Sequence, residues 1–126
     1  MINKRVLVVD DDVSIRAIIS ISLETITNWQ ILTASSGKEA IAMAAAELPD
    51  AILLDWMMPD MDGVETLRNI RANSITQSIP VIFLTAKTMI QEESPLDDLM
   101  FSGIITKPFK APNLVKEMRS LLHWED

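Results

Sequence analysis

Four apolar runs in this chain end in side chains that can do chemistry. Asp10, Asp11 and Asp12 follow the run Val6 to Val9, and Asp55 follows Ala51 to Leu54. Thr85 follows Pro80 to Leu84, and Thr106 with Lys107 follows Gly103 to Ile105. If the strands bearing Asp10, Asp11 and Asp55 are neighbours, three carboxylates meet within a few ångströms. At about 4 Å, each pair costs roughly 4 kcal/mol at an effective dielectric of about 20, so something positive must balance them. Lys107 supplies one charge on a flexible stem. Carboxylate oxygens converging with room for water also suit Mg²⁺, whereas no loop supplies the denser oxygen set that Ca²⁺ usually takes. A hydroxyl, an ammonium and a metal-bound carboxylate at one point match the needs of phosphoryl transfer, which is mostly positioning and charge neutralisation. An aspartate can itself be the nucleophile and form an acyl phosphate, and that role falls to Asp55, the one acid ending a central run. Taken singly, each residue has a plainer use: Asp12 as a helix cap, Thr85 as a backbone-bonded hydroxyl, Lys107 as a solvated ammonium. Their convergence carries the chemical reading.

Such convergence requires strands whose carboxyl ends lie side by side. The four runs, with a weaker fifth from Trp29 to Thr33, are continuously apolar rather than alternating, as in strands covered on both faces. Between them, Ile15, Ile18, Ile19, Leu23 and Ile26 share one helical face, as do Ala40, Ile41, Ala44, Ala45 and Leu48. Val64, Leu67 and Ile70 repeat the pattern, and so do Leu114, Val115, Met118, Leu121 and Leu122. Asp12 is placed to cap the first helix and Pro112 to open the last; Pro49 and Gly63 are read as helix ends where a turn is needed. The span Lys87 to Ser102 is less regular: Ser94 as cap, Pro95 at the first helical position and Asp97 in the first turn predict a late, short helix behind an irregular loop and ending before Gly103. Strand and helix thus alternate about five times, which predicts an α/β fold, a doubly wound five-stranded parallel sheet with right-handed crossovers. Ligands of such sheets bind beyond the carboxyl ends of the strands, at the switch point of strand order.

Composition narrows the class further. The chain has 126 residues, enough for one domain spanning residues 1–126 and too few for two ordinary ones. A net charge of −7 repels a phosphate backbone or an anionic membrane surface, so no direct nucleic-acid or membrane partner is expected. The absence of cysteine removes disulfides, thiol catalysis and zinc-thiolate sites, and fits a cytoplasmic location. The apolar run after the N-terminus is too short for a signal peptide or a membrane span. His123 reads as a surface residue, and the eight methionines as core and loop filling rather than a metal box.

The motifs together resemble the receiver domains of two-component response regulators over essentially the whole chain. Val6-Leu-Val-Val-Asp-Asp-Asp12 is similar to the family's first strand and acidic pair. Leu53-Leu-Asp-Trp-Met-Met-Pro-Asp-Met-Asp-Gly63 is similar to its phosphoacceptor motif, with Asp55, Pro59 and Gly63 in register. Phe83-Leu-Thr-Ala86 and Thr106-Lys-Pro-Phe109 are similar to its hydroxyl and lysine motifs. The resemblance implies strand order 2-1-3-4-5 in a flavodoxin-like three-layer sandwich. It implies that Asp55 accepts a phosphoryl group from a phosphohistidine on a sensor histidine kinase or a phosphotransfer protein. Mg²⁺ would be held by Asp11 and Asp55 directly, by Asp10 largely through water, and by the backbone carbonyl of Met57. Lys107 would pair with Asp55 and then with the phosphoryl oxygens, Thr85 would move inward to bond them, and the small Ala86 would leave room. A cis bond between Lys107 and Pro108 is implied too. The output would be a downstream protein target, and a phosphorylation-dependent dimer is compatible with the reading.

Two departures from the family pattern stand out. Ile104 occupies a position that in the family often carries an aromatic switch residue. Met57 and Lys87, whose counterparts in the family flank the path of hydrolytic water, offer no evident base, which predicts slow phosphate loss. Three rival readings are weaker. A dehalogenase-type phosphatase needs a second acid where Met57 stands; a flavodoxin-type carrier needs a phosphate loop that is not triply acidic; and a pseudo-receiver would lack site residues that this chain keeps. With no output segment after the last helix, the expectation is action by protein contact or membership of a longer regulator.

Overall fold

The computed structural model describes residues 3–86 and 100–125. Five parallel strands, β1 (Arg5–Val9), β2 (Gln30–Ala34), β3 (Ala51–Asp55), β4 (Val81–Ala86) and β5 (Gly103–Lys107), form one sheet in the order β2-β1-β3-β4-β5. Helices α1 (Val13–Ile26), α2 (Gly37–Glu47), α3 (Gly63–Ala72) and α4 (Ala111–Leu122) complete the described elements. This is the doubly wound α/β architecture that the continuous apolar runs predict. Because β3 is central, all five of its residues are buried, while the edge strands β2 and β5 are only partly so.

The pleat of the strands sends alternate side chains to two separate cores. Leu7, Val9, Ile52, Leu54 and Phe83 pack on one face with Ala40 and Ala44 of α2 and with Val64, Leu67 and Ile70 of α3. Val6, Val8, Leu53, Ile82 and Leu84 pack on the other with Ile19 and Leu23 of α1 and with Leu114, Val115 and Met118 of α4. Each such fully buried leucine or isoleucine stabilises the fold by roughly 2–5 kcal/mol relative to alanine, which holds the strand ends in fixed register.

Helix starts are set by side-chain oxygens. Asp12 accepts from the amides of Ser14 and Ile15 at 2.8 and 3.1 Å, confirming its role as the cap of α1. Ser36 caps α2 through the amide of Glu39, whose carboxylate in return accepts from the amide of Ser35 at 2.7 Å. Pro112 lies in the first turn of α4.

Some sequence expectations are corrected. Gly63 does not end a helix; it opens α3, which Asp62 caps through the amide of Glu65. A Cβ at Gly63 would lie 2.7 Å from the carbonyl oxygen of Asp55 and 3.0 Å from the Phe83 ring, so glycine is required there by close approach. Leu48 is not core: α2 ends one residue earlier and Leu48 takes a left-handed conformation, 53% exposed, with Pro49 buried behind it. Ile18 and Ile26 also face outward, because α1 presents a narrower stripe to the sheet than the five-residue pattern implies. The short helix expected between Lys87 and Ser102 lies outside the described residues except for 100–102, which lead directly into β5. Among the described residues no helix is long and apolar enough to cross a membrane.

Candidate phosphoacceptor site

The pairing of β1 with β3 places Val9 opposite Leu54, so the residues that follow them emerge side by side at the carboxyl edge. Asp10 and Asp55 are buried, at 1% and 5% exposure, and Asp11 is exposed. Carboxylate oxygens of all three lie within 4.8 Å of one another. The β4 and β5 registers, Asp55 opposite Leu84 and Ala86 opposite Lys107, bring the ammonium in from the other side. Lys107 Nζ lies 3.5 Å from Asp55 Oδ1 and 3.6 Å from Asp10 Oδ2, bridging the two buried acids. Both separations exceed a good charged hydrogen bond, so this is an ion pair with room to shorten. The bond between Lys107 and Pro108 is cis, as the resemblance implies.

Burial sets the electrostatics. Asp55 is pushed up to about 6, first by loss of hydration and then by the charge of Asp10, against the opposing pull of Lys107 and of the Met57 amide. Asp10 is also raised, chiefly by burial, although the Asp12 amide and Lys107 counteract it. Its Oδ1 accepts from the Asp12 amide at 2.9 Å, whereas Oδ2 is buried with no hydrogen-bond partner among the described residues. A buried carboxylate oxygen with only a 3.6 Å ion pair to Lys107, facing two more carboxylates, fits a hard divalent cation or its water shell.

The remaining predicted residues are near. Thr85 is buried, and among the described residues its hydroxyl donates a single long bond, at 3.4 Å, to the carbonyl of Ala86. Ala86 itself is exposed. Met57 is 58% exposed, with its amide directed at the Asp55 carboxylate. Ile104 is half-buried on the α2/α3 face, in the same cluster as Trp56 and Phe101. There Trp56 packs on Phe83 at 5.1 Å between ring centroids, and Phe83 on Phe101 at 5.5 Å. Arg16 was not anticipated. Its Nη1 donates to the carbonyl of Asp10 at 2.7 Å, tying α1 to the acidic turn. The signal was an arginine one turn beyond the cap Asp12, a position that spacing alone leaves indistinguishable from a solvated one.

An open parallel sheet with an acidic pocket, a lysine and a hydroxyl at its carboxyl edge defines a class of α/β domains suited to phosphoryl transfer to aspartate. A family model described as the response regulator receiver domain matches residues 6–119, and the chain belongs to that family. It is a receiver domain, the phosphoacceptor module of two-component signalling. It is 36% identical over 124 residues to the phosphate regulon transcriptional regulatory protein PhoB of Pseudomonas aeruginosa, covering 97% of this chain and 53% of that protein. The chain thus spans about half the length of the curated relatives it matches. Its fold superposes on the chemotaxis protein CheY4 of Vibrio cholerae with a TM-score of 0.83 at 31% identity, covering 95% of this chain and 99% of that one. The receiver domain of the Pseudomonas aeruginosa sensor kinase PA1611 superposes with a TM-score of 0.85 at 24% identity, covering 97% and 99%; that protein was solved with magnesium in its active-site cleft.

Proposed function

We propose that residues 1–126 act as a single receiver domain in which Asp55 is the phosphoacceptor. The observation that carries this is the burial of Asp55 at the sheet's switch point, between two further carboxylates and the Lys107 ammonium. Asp11 and Asp55 would hold Mg²⁺ directly, Asp10 largely through water, and the Met57 carbonyl would complete the protein ligands. When bound, Mg²⁺ supplies the positive charge that lets a phosphoryl dianion approach this acidic pocket.

The chain's own groups do the rest. An oxygen of the ionised Asp55 carboxylate attacks the phosphorus of a phosphohistidine, the phosphorus–nitrogen bond breaks, and the imidazole leaves with that electron pair. Lys107, already 3.5 Å from Asp55, shifts to the phosphoryl oxygens and neutralises charge as it develops. The Thr85 hydroxyl exchanges its long bond to Ala86 for a shorter one to phosphate. Ala86 leaves room for that movement, and Ile104, opposite Phe83 in the β4/β5 register, takes the place of an aromatic switch residue. These contacts exist only in the phosphorylated state and so bias the domain toward its signalling conformation.

The donor would be a sensor histidine kinase or phosphotransfer protein, in the cytoplasm, and the receiver of the signal a protein surface, including a second copy of this chain. The acidic charge argues against direct nucleic-acid contact by this domain. Incubation with Mg²⁺ and a small-molecule phosphodonor should add the mass of one phosphoryl group, and Asp55→Asn should prevent it. Undiminished mass gain in that variant would place the acceptor elsewhere.

A further inference from the structure

A groove of about 330 Å³ opens at the amino edge of the sheet, where α3 ends and where β4 and β5 begin. Arg71, Pro80, Met100 and Phe101 line it, with Ser78 and Ser102 as polar neighbours. Arg71 is partly buried, and its side chain reaches from α3 toward β5, where Nε donates to the Met100 carbonyl at 2.8 Å. Its Nη1 is buried and has no hydrogen-bond partner among the described residues. None of the described groove residues is acidic, and no ion pair to Arg71 occurs among the described residues. The chain carries eighteen acidic against eleven basic side chains, so this arginine is not unpaired for want of anions. Burial pushes the Arg71 guanidinium down from its ordinary range, and no neighbouring carboxylate opposes that loss of hydration. A guanidinium nevertheless keeps its charge, which leaves here a cation short of both water and a counter-ion.

We propose that this groove binds a small carboxylic acid with an apolar body, its carboxylate on Arg71 and its hydrocarbon against Pro80 and Phe101. The volume lies at the small end of the range for ligand cavities. A planar carboxylate matches the guanidinium fork. The apolar lining favours such an acid over a fully polar anion such as phosphate, which would gain nothing from covering Pro80 and Phe101. The groove shares no residue with Asp10, Asp11, Asp55, Thr85 and Lys107, which stand at the opposite, carboxyl edge of the sheet. It is therefore a separate site and does not depend on Asp55 being the phosphoacceptor.

Titration of the full chain with benzoate, followed residue by residue through backbone amide NMR, tests this. The amides of Ser78, Phe101 and Ser102 should shift and saturate. Benzamide, of the same shape without the charge, should bind about tenfold more weakly, and so should inorganic phosphate. Arg71→Gln should abolish the saturable shift. Because Arg71 also fastens the Met100 carbonyl, a second variant leaves it in place. Met100 is 79% exposed, so Met100→Glu puts a carboxylate at the rim without disturbing the core. That carboxylate should pair with Arg71 and weaken benzoate several-fold, whereas Met100→Gln should bind like the wild type. Shifts that do not saturate overturn the proposal, as does benzamide or phosphate binding as tightly as benzoate. Undiminished binding in a folded Arg71→Gln also overturns it. Should that variant not fold, Met100→Glu decides, and an affinity equal to that of Met100→Gln overturns the proposal instead.

Discussion

The two halves of the site are built to different tolerances. On the β1/β3 side the acidic turn is fixed by short bonds: Asp12 amide to Asp10 at 2.9 Å, Arg16 to the Asp10 carbonyl at 2.7 Å, and the Asp12 cap on α1 at 2.8 Å. On the β4/β5 side the side-chain contacts of the described site residues are long, with Lys107 at 3.5 and 3.6 Å and the Thr85 hydroxyl at 3.4 Å. A half that must hold a metal of fixed geometry gains from rigid ligands. A half that must respond to phosphate gains from groups not already committed to strong bonds. On the proposed function, charge storage and response would thereby be separated across the boundary between β3 and β4.

The largest effect expected on the rigid half comes from removing its central charge. Asp55→Asn should abolish phosphorylation and yet stabilise the metal-free domain at neutral pH. Because Asp55 is raised to about 6 in the folded state, folding there favours the protonated form. The metal-free domain should therefore lose stability as pH rises from about 4 to about 6, by on the order of 3 kcal/mol at most, and level off above. In Asp55→Asn that slope should largely vanish, leaving the smaller contribution of Asp10. Urea titrations at several pH values, without Mg²⁺, measure both; a wild-type stability that rises with pH over this window would contradict the electrostatic account.

Lys107→Met tests the boundary between the halves. It leaves Asp10 and Asp55 buried without their cation, which should cost about 2 kcal/mol near neutral pH, given that the lysine is partly solvated. The loss should shrink toward pH 4, where Asp55, raised to about 6, is protonated. Equal losses at both pH values would mean that lysine stabilises by packing alone.

These electrostatic features were more legible in sequence than the contacts that organise them. Continuous apolar runs revealed a sheet covered on both faces, and the polar residues closing each run revealed the site, because strand ends in a parallel sheet are forced together. Gly63 was misread since a glycine that permits a turn and one that permits close approach look alike in sequence; only the nearness of the Asp55 carbonyl and the Phe83 ring distinguishes them. Arg16 was missed because the reach of a long side chain to a backbone carbonyl leaves no periodic trace. Leu48 shows the same limit, since a hydrophobic residue can continue a helical pattern while its backbone has already left the helix.

Metal binding should sharpen the contrast by a smaller amount. Mg²⁺ at ten times its Kd should stabilise the folded domain by about 1.4 kcal/mol, raising Tm, through binding to the native state alone. Asp11→Ala should remove the gain while leaving the metal-free Tm nearly unchanged, since Asp11 is exposed. A gain that persists in Asp11→Ala would mean that Asp10 and Asp55 suffice.

Thr85→Val should perturb the resting domain least, and for that reason it isolates the responsive half. Among the described residues the hydroxyl lost makes one 3.4 Å bond to a neighbouring carbonyl, so stability should change by less than about 1 kcal/mol. Valine keeps the β-branched shape that β4 favours. The Asp55 carboxylate and the acidic turn are untouched, so phosphorylation should still occur, though more slowly. What should disappear is the structural response to it. On the proposed function, inward movement of Thr85 would draw on the backbone of β4, where Phe83 packs between Trp56 and Phe101. The phosphorylation-dependent change in tryptophan fluorescence should therefore have a component that Thr85→Val removes at equal phosphoryl occupancy. Trp29 and Trp124 pair with each other in the opposite core, so Trp29→Phe with Trp124→Phe isolates the Trp56 signal. If Thr85→Val gives the full fluorescence change at equal occupancy, the response runs through Lys107 and β5 alone, and the β4/β5 half divides again into one strand that moves and one that does not.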